Sequence, residues 1–566
     1  MFPTRGRSRS WERAALPFAF LSLVPLFLAA CGGGGGGGSM ATNDTPPTIS
    51  LTAQPGTIVA GQPVTLTWMS NAASCTASGS WSGAQQPAGN TTVAPTTAGT
   101  ASFTLTCTAP ASTVTSAMTA TVTVNPASTF SITPLVSDTP GMGAVTVDPK
   151  LVNPWGIVFA TGAPVWTSNN HSETSTLYDG NGKPQPAATP LVVNLPNGAG
   201  NATFDPTGIV ANSTTDFAVH SGATTGASRF IFSGEGGMIA GWAPTVDLHN
   251  AVAMYTDTGG AVYKGLALAN NGTANFLYAT DFHNNKIDMF DGTYTRQTLG
   301  AAKFVDPNLP AGYAPFGIQA IKNGAGSTWQ LYVAYAMQQA PDNHDNANGA
   351  GLGVVDIYDP TGTFVKRLIS PAGALNAPWG LALAPATTFG TLSSTLLVGN
   401  FGDGKINGYD PASGQWMGAI IDATGAPFVS PGLWGIAFGN GAGNQPVSTL
   451  FYAAGPNDEA NGVYGRIDLG GPPTLNAPPV VTLTVPAGTL TGTVTLSATA
   501  QDPIAIAKIQ FFNNTNTLIG TATTAPYSVQ WDTTTVANGA VSITAVATDN
   551  DGAVGTSTAT AATVNN

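Results

Sequence analysis

Asn153-Pro154-Trp155-Gly156-Ile157 is the first copy of a phrase that the chain writes six times. It returns as Pro206-Thr207-Gly208-Ile209, Tyr263-Lys264-Gly265-Leu266, Pro315-Phe316-Gly317-Ile318, Pro378-Trp379-Gly380-Leu381 and Leu433-Trp434-Gly435-Ile436. Successive glycines are 52, 57, 52, 63 and 55 residues apart, a period that marks a structural repeat. An apolar run follows each phrase, as in Ile157-Val158-Phe159 and Leu381-Ala382-Leu383, and reads as a strand. A second strand is read at Val165-Trp166-Thr167, Phe217-Ala218-Val219, Phe276-Leu277-Tyr278, Leu331-Tyr332-Val333, Leu396-Leu397-Val398 and Leu450-Phe451-Tyr452. A third often ends in an aromatic-Asp turn, such as Phe290-Asp291-Gly292 or Tyr409-Asp410-Pro411, whose residues supply hairpin dihedrals. Four-stranded units of this size bury little alone, but six set radially close into a propeller.

The rest of the chain fits an all-β protein: a six-bladed β-propeller flanked by two immunoglobulin-like β-sandwiches. With 566 residues it is too long for one core, and with 69 Gly, 42 Pro and only 8% charged residues it is rich in turns. There are 17 Lys and Arg against 29 Asp and Glu, and four of the arginines lie within the first thirteen residues. Nucleic acid is excluded as a partner by that balance, since no basic patch is left to meet phosphates.

Residues 1–30 read as a signal peptide, with basic Arg5, Arg7, Arg9 and Arg13 before an apolar stretch. Its ending, Leu28-Ala29-Ala30-Cys31, resembles a bacterial lipobox. That resemblance implies lipidation of Cys31 and a membrane partner through the N-terminal anchor. The absence of Asp after Cys31 implies an outer-membrane lipoprotein of the cell envelope, facing the periplasm or the surface. Residues 31–45 form a glycine-rich tether.

Residues 46–126 alternate as short strands, and Cys75 and Cys107 are the only cysteines besides Cys31. In an oxidising compartment a disulfide between them is the expectation, with two free buried thiols as the alternative. The run from Gln62 through Trp68 and Cys75 to Cys107 resembles bacterial immunoglobulin-like modules, which implies that Trp68 packs on the disulfide. Residues 476–564 resemble a second such module, on Thr524-Ala525-Pro526-Tyr527 and Ala547-Thr548-Asp549-Asn550-Asp551-Gly552. There Asp502, Asp549 and Asp551 read as turn formers, with a calcium site as the alternative.

Residues 129–470 carry the propeller, and the strand-like segment 129–137 before the first phrase is expected to close its last blade. The loops after the second strands converge on one mouth of the channel with the phrase starts. They are polar: Asn169-Asn170-His171, His220, Asp281-Phe282-His283-Asn284, Asp342-Asn343-His344-Asp345, Asn400-Phe401-Gly402-Asp403 and Asn457-Asp458-Glu459. Asn170, His171, His220, Asp281, His283, Asn400, Asp403, Asn457 and Asp458 are therefore the candidate ligand or metal residues. Imidazoles and carboxylates together suit a divalent metal, zinc or calcium. Trp155, Phe316, Trp379 and Trp434 are expected to fill space between blades or, alternatively, to stack on a ligand. No catalytic or nucleotide-binding motif names a reaction.

Asn284-Asn285-Lys286-Ile287-Asp288-Met289-Phe290-Asp291 and Asn400 to Asp410 resemble NHL-type six-bladed propellers. Residues 131–469 are similar to an uncharacterised family of secreted bacterial proteins, on Leu135-Val136-Ser137-Asp138, Asn376-Ala377-Pro378-Trp379-Gly380 and Leu397-Val398-Gly399-Asn400-Phe401-Gly402-Asp403-Gly404. The resemblance implies a fold and no reaction. Two functions follow as expectations: a surface lipoprotein binding a small polar ligand, glycan or protein at the mouth, or a metal-dependent lactonase, lyase or hydrolase using the same mouth.

Overall fold

The computed structural model describes residues 45–566 apart from 111, 198–202, 323–327, 471–477, 503–504, 515–516 and 551–553. Cys31, its leader and tether, and Asp551 lie outside the described residues. No helix among the described residues is long and apolar enough to cross a bilayer.

Each phrase starts the innermost strand of one blade: Pro154–Phe159, Pro206–Ala211, Tyr263–Asn270, Tyr313–Ile321, Pro378–Leu383 and Leu433–Phe438. Each pairs antiparallel with the next strand outward, and in all six the register shifts within the phrase. A bulge of this kind re-aims a side chain. Neighbouring inner strands pack on one another around the ring, and Leu433–Phe438 returns to Pro154–Phe159.

The glycine of the phrase is dictated by this closure. A Cβ on Gly156 would lie 2.7 Å from the Thr207 carbonyl oxygen, and one on Gly317 would lie 2.0 Å from that of Trp379. Gly380 meets the Trp434 carbonyl at 2.5 Å, and Gly435 meets that of Trp155 at 2.6 Å, so the last blade touches the first as the others touch in sequence. No side chain fits between inner strands this close.

The last blade is closed by chain from the other end of the propeller. Phe130–Ser137 pairs antiparallel with Val463–Leu469 as that blade's outer strand. Thus the sheet that ends the ring also holds its beginning.

Two blades depart from the expected pattern. Blade three has three strands among the described residues, with only an isolated bridge, Phe290 to Arg296, where a fourth would run. In blade two the second strand is Phe230–Gly234, and not the stretch around Phe217-Ala218-Val219. Ala218–Ser221 and Thr224–Ala227 instead form a separate hairpin inserted after the inner strand. The reason is burial: Phe230–Gly234 is buried at every position, as an inner sheet position demands, whereas the hairpin strand Ala218–Ser221 exposes every residue but Val219.

The flanking modules are two-sheet sandwiches. In the first, three strands face five, and Cys75 and Cys107 are bonded across adjacent strands of the same sheet. The bond therefore does not join the two sheets as in antibody domains. Trp68 shares the core with both cysteines, and its ring meets Trp81 edge-on at 5.1 Å. The second module packs Trp531, Phe511 and Ile543 between three strands and six.

A buried charge cluster lies in blade four. Arg367 bonds both Asp306 and Asp356. Asp356 is fully buried, and one of its oxygens has no partner. Burial outweighs the guanidinium and, with repulsion from Asp306, raises the Asp356 carboxyl from 3.8 to about 7. The folded chain therefore favours the protonated acid, and stability falls as pH rises from the unfolded value through about 7. Asp356→Asn is neutral at every pH. Relative to the parent it should gain on the order of 1–4 kcal/mol between pH 5 and pH 8 in urea unfolding. Separately, Gly317→Ala should cost about 4 kcal/mol or more, while Gly300→Ala, where a Cβ meets nothing within 4 Å, should change the urea midpoint little.

Candidate functional site

The bulged phrases aim their middle residues at the propeller axis. Trp155, Thr207, Lys264, Phe316, Trp379 and Trp434 are all buried. Trp155 and Trp434, from the first and last blades, stack at 3.4 Å between ring centroids. Trp379 stands edge-on to both, Phe316 lies 5.9 Å from Trp434, and Phe401 stacks on Trp434 at 4.2 Å. These rings form a core of their own with Phe282, Ala314, Ala336 and Ala377. The aromatic residues therefore plug the channel and do not wedge between blades.

Two of the indole N–H groups are held. Trp379 Nε1 donates to the Lys264 carbonyl at 2.9 Å, and Trp434 Nε1 donates to Asn153 Oδ1 at 3.1 Å. Asn153 is left-handed at φ 47°, a conformation Asn tolerates, and its Nδ2 donates to Glu459 Oε2 at 2.7 Å.

Above the plug, at the mouth where the phrases begin, lies a cavity of about 400 Å³. Every blade lines it: Trp155, Asn170 and His171 from blade one, Glu235 from two, Lys264 from three, His344 to Asn346 from four, Phe401 from five, and Trp434, Asp458 and Glu459 from six. The polar groups are linked. Asn170 Nδ2 donates to Glu235 Oε2 at 3.1 Å, and Lys264 Nζ donates to Glu235 Oε1. The same ammonium lies 3.6 Å from Asp345 and 5.3 Å from the centre of the Trp155 ring. His344 Nδ1 and Asp345 Oδ1 are 2.9 Å apart. That bond raises the His344 imidazole above its ordinary value and holds Asp345 down to about 2. Burial raises the Glu459 carboxyl, against the pull of its bond from Asn153.

Of the residues singled out from sequence, Asn170, His171 and Asp458 line this cavity. His220 does not: it is exposed on the inserted hairpin of blade two, which leaves the inner strand at the end away from the mouth. His283 serves the blade-four insertion, its Nδ1 lying 2.8 Å from the Asp342 carbonyl oxygen. Asp281 is fully buried and accepts from the Val262 and Asn284 amides while pairing with Lys286. Asn400 is likewise buried, donating to the Ala374 carbonyl and to Asp403, which in turn pairs with Lys405. The Asn457 amide donates to Asn461 at 2.7 Å. These last residues tie turns down and line no cavity with the first three.

Glu235 and Lys264 are inconspicuous in the sequence for identifiable reasons. Glu235 follows the true second strand of blade two, and Lys264 is the one charged residue in a phrase position otherwise aromatic or Thr. Among the described residues, Glu235, His344 and Asp345 are the group whose ligand atoms lie within 4.8 Å of one another. The Lys264 ammonium already bonds Glu235 and neighbours Asp345, so this set fits a zinc or calcium ion poorly.

Fold and site define the chain as a six-bladed propeller with a plugged channel and a polar mouth, carried with immunoglobulin-like modules. Residues 479–545 match the bacterial Ig domain family. An uncharacterized protein of Acanthamoeba polyphaga mimivirus is 33% identical over 347 residues, covering 60% of this chain and 80% of that protein. A second uncharacterized mimivirus protein is 30% identical over 347 residues, covering 60% of this chain and 86% of its own length. The chain belongs to the family of these mimivirus proteins. Among solved structures, virginiamycin B lyase from Staphylococcus aureus is 15% identical, with 56% of this chain and 96% of that one covered at a TM-score of 0.32. A putative phosphatase from Bacteroides thetaiotaomicron is 10% identical, with 76% and 98% covered at 0.38. Neither activity is carried over to this chain.

The side chains of Lys264 and Glu235 are 3% and 13% exposed, so removing the cation alone strands a buried carboxylate. Lys264→Met should cost about 3–5 kcal/mol of unfolding free energy. Adding Glu235→Gln should restore much of that loss, a coupling that denaturant unfolding of the two single variants and the double variant would measure.

Proposed function

We propose that this is an exported, lipid-anchored envelope protein whose propeller binds a small polar ligand at its mouth. The observation that carries the reading is the cavity of about 400 Å³, closed below by aromatic rings and walled by charged and amide side chains from separate blades. Its size falls in the range of small-ligand sites, about 300–1,000 Å³, and a few convergent polar groups over an apolar floor are what such sites need for orientation. A glycan or a protein segment would enter the same mouth through one polar residue or sugar. The lipobox resemblance at Cys31 supports the anchor, and the flanking sandwiches serve as spacers.

An enzyme is the second reading, favoured by one observation. Asp345 holds His344 through Nδ1, which leaves Nε2, without a partner among the described residues, to take a proton from a bound substrate, as a general base must. A metal would have to displace Lys264 from between Glu235 and Asp345, so in this reading the imidazole works without one.

Thermal unfolding of the full-length protein against a panel of sugars, amines, amino acids and carboxylic acids tests the binding function. At least one class should raise the Tm, His171→Ala should remove that rise, and His220→Ala on the other face should keep it. A panel without effect, or an effect indifferent to His171, would contradict the proposal. The anchor is read separately: in a bacterial host, Cys31→Ala should lose a fatty-acid label and membrane retention together.

A further inference from the structure

One hydrogen-bond donor at the mouth is unanswered. Trp155 lines the cavity and is 2% exposed, and its indole N–H has no acceptor among the described residues. The other two indoles of the plug are matched, Trp379 by the Lys264 carbonyl and Trp434 by Asn153. A buried donor left without an acceptor is costly, and a molecule that fills the cavity recovers that cost if it brings an acceptor atom.

The charges around the indole decide what kind of acceptor that is. Lys264 is the one Lys or Arg of the lining, and it already faces Glu235 and Asp345. Asp458 and Glu459 line the same cavity without an ion pair among the described residues. Four carboxyl groups against one ammonium repel a ligand carboxylate or phosphate. An ammonium or guanidinium would be attracted, but it has no lone pair to offer the indole. A neutral hydroxyl meets both demands, since its oxygen accepts from the indole and its hydrogen goes to a carboxylate.

We infer that the mouth takes a neutral polyhydroxylated ring, a sugar or cyclic polyol, with one hydroxyl on Trp155 Nε1 and others on Asp458 and Glu459. This rests on the ligand-binding reading above and names the class of ligand. Glu459 accepts from Asn153 on Oε2, which leaves Oε1 and the Asp458 carboxylate to take hydrogens from the ligand. Neighbouring ring hydroxyls supply donors in pairs, as carboxylate oxygens come in pairs. A peptide amide also carries a donor and an acceptor, but it brings too few donors for this many carboxylate oxygens. Phe401, half-buried on the Trp434 ring, gives the C–H face of the ring an apolar surface.

The test is calorimetric titration of the full-length protein with three sets of probes. Methyl glucoside, methyl galactoside, methyl mannoside and myo-inositol are the neutral rings, glucosamine and glucuronate the charged ones, and N-acetylglycinamide the amide. At least one neutral ring should bind more tightly than the charged probes and the amide, with an affinity that raised salt leaves unchanged. Asp458 has φ 52°, which Asn tolerates, and Asp458→Asn should weaken that ring about tenfold. His220→Ala should leave it unchanged. The indole is read by NMR of protein with isotopically labelled tryptophan: the N–H resonance missing from Trp155→Phe should move when the ring is added. If Trp155→Phe does not fold, the Asp458→Asn titration decides alone. A charged probe or the amide bound more tightly than every neutral ring would overturn the inference. So would an affinity indifferent to Asp458→Asn, or a Trp155 resonance that stays in place while the ring binds. If the tighter binding of another probe is lost in His171→Ala, the polar-ligand site stands without the sugar. Silence from every probe would also overturn the inference, and it would reach the binding function itself only if the wider panel were silent too.

Discussion

Backbone meets backbone without side chains at six places around the propeller axis, and the rest of the architecture follows from that contact. A Cβ at Gly208 would lie 2.4 Å from the Leu266 amide nitrogen, and one at Gly265 would lie 2.9 Å from the Phe316 carbonyl oxygen. Inner strands this close leave only the bulged middle residue of each phrase free to turn toward the axis. The same contact therefore closes the ring and selects which side chains fill it. Four of the six are aromatic, and their packing converts an open channel into two separate openings. Thr207 fits the same scheme with a hydroxyl that donates to the Tyr263 carbonyl at 2.7 Å.

Lys264 is the exception from which the site grows. Its position in the phrase delivers an ammonium to the axis, where only rings and a hydroxyl otherwise stand. Glu235 and Asp345 answer it from neighbouring blades, and the Trp155 face lies beneath it. The blade-four insertion is drawn over the mouth by the same attraction, while His283 holds its other side through the Asp342 carbonyl. On the far side of the plug, a cavity of about 390 Å³ is lined by mostly apolar residues after each phrase, Phe159 and Phe438 among them, with Gln319 and Trp329. Among the described residues its lining carries no charged side chain, in contrast to the mouth.

Much of this was legible in the sequence because repetition is an amplified signal. The phrase, its period and the strands after it define six blades, and Phe130–Ser137 has no other place than the last of them. What escaped was set by packing between distant residues. Blade two carries two strand-like stretches, and only burial tells that Phe230–Gly234 belongs in the sheet while the His220 stretch stands outside it. Glu235 is hidden with that strand. Asp281, Asn400 and Asp403 look like ligands in a list of polar loop residues, yet the two carboxylates are taken up by amides or a nearby lysine, and the Asn400 Nδ2 by the Ala374 carbonyl and Asp403. Loop composition alone does not separate a carboxylate that binds a ligand from one that ties down a turn.

The first and last phrases, far apart in the chain, meet on the axis and form the floor of the mouth. A double-mutant cycle on Trp155→Leu and Trp434→Leu, followed by denaturant unfolding, measures that meeting directly. Stacked rings at 3.4 Å should show a coupling of about 0.5–1.5 kcal/mol. Strictly additive effects would mean that the two indoles do not touch, and neither the plug nor the mouth above it would stand.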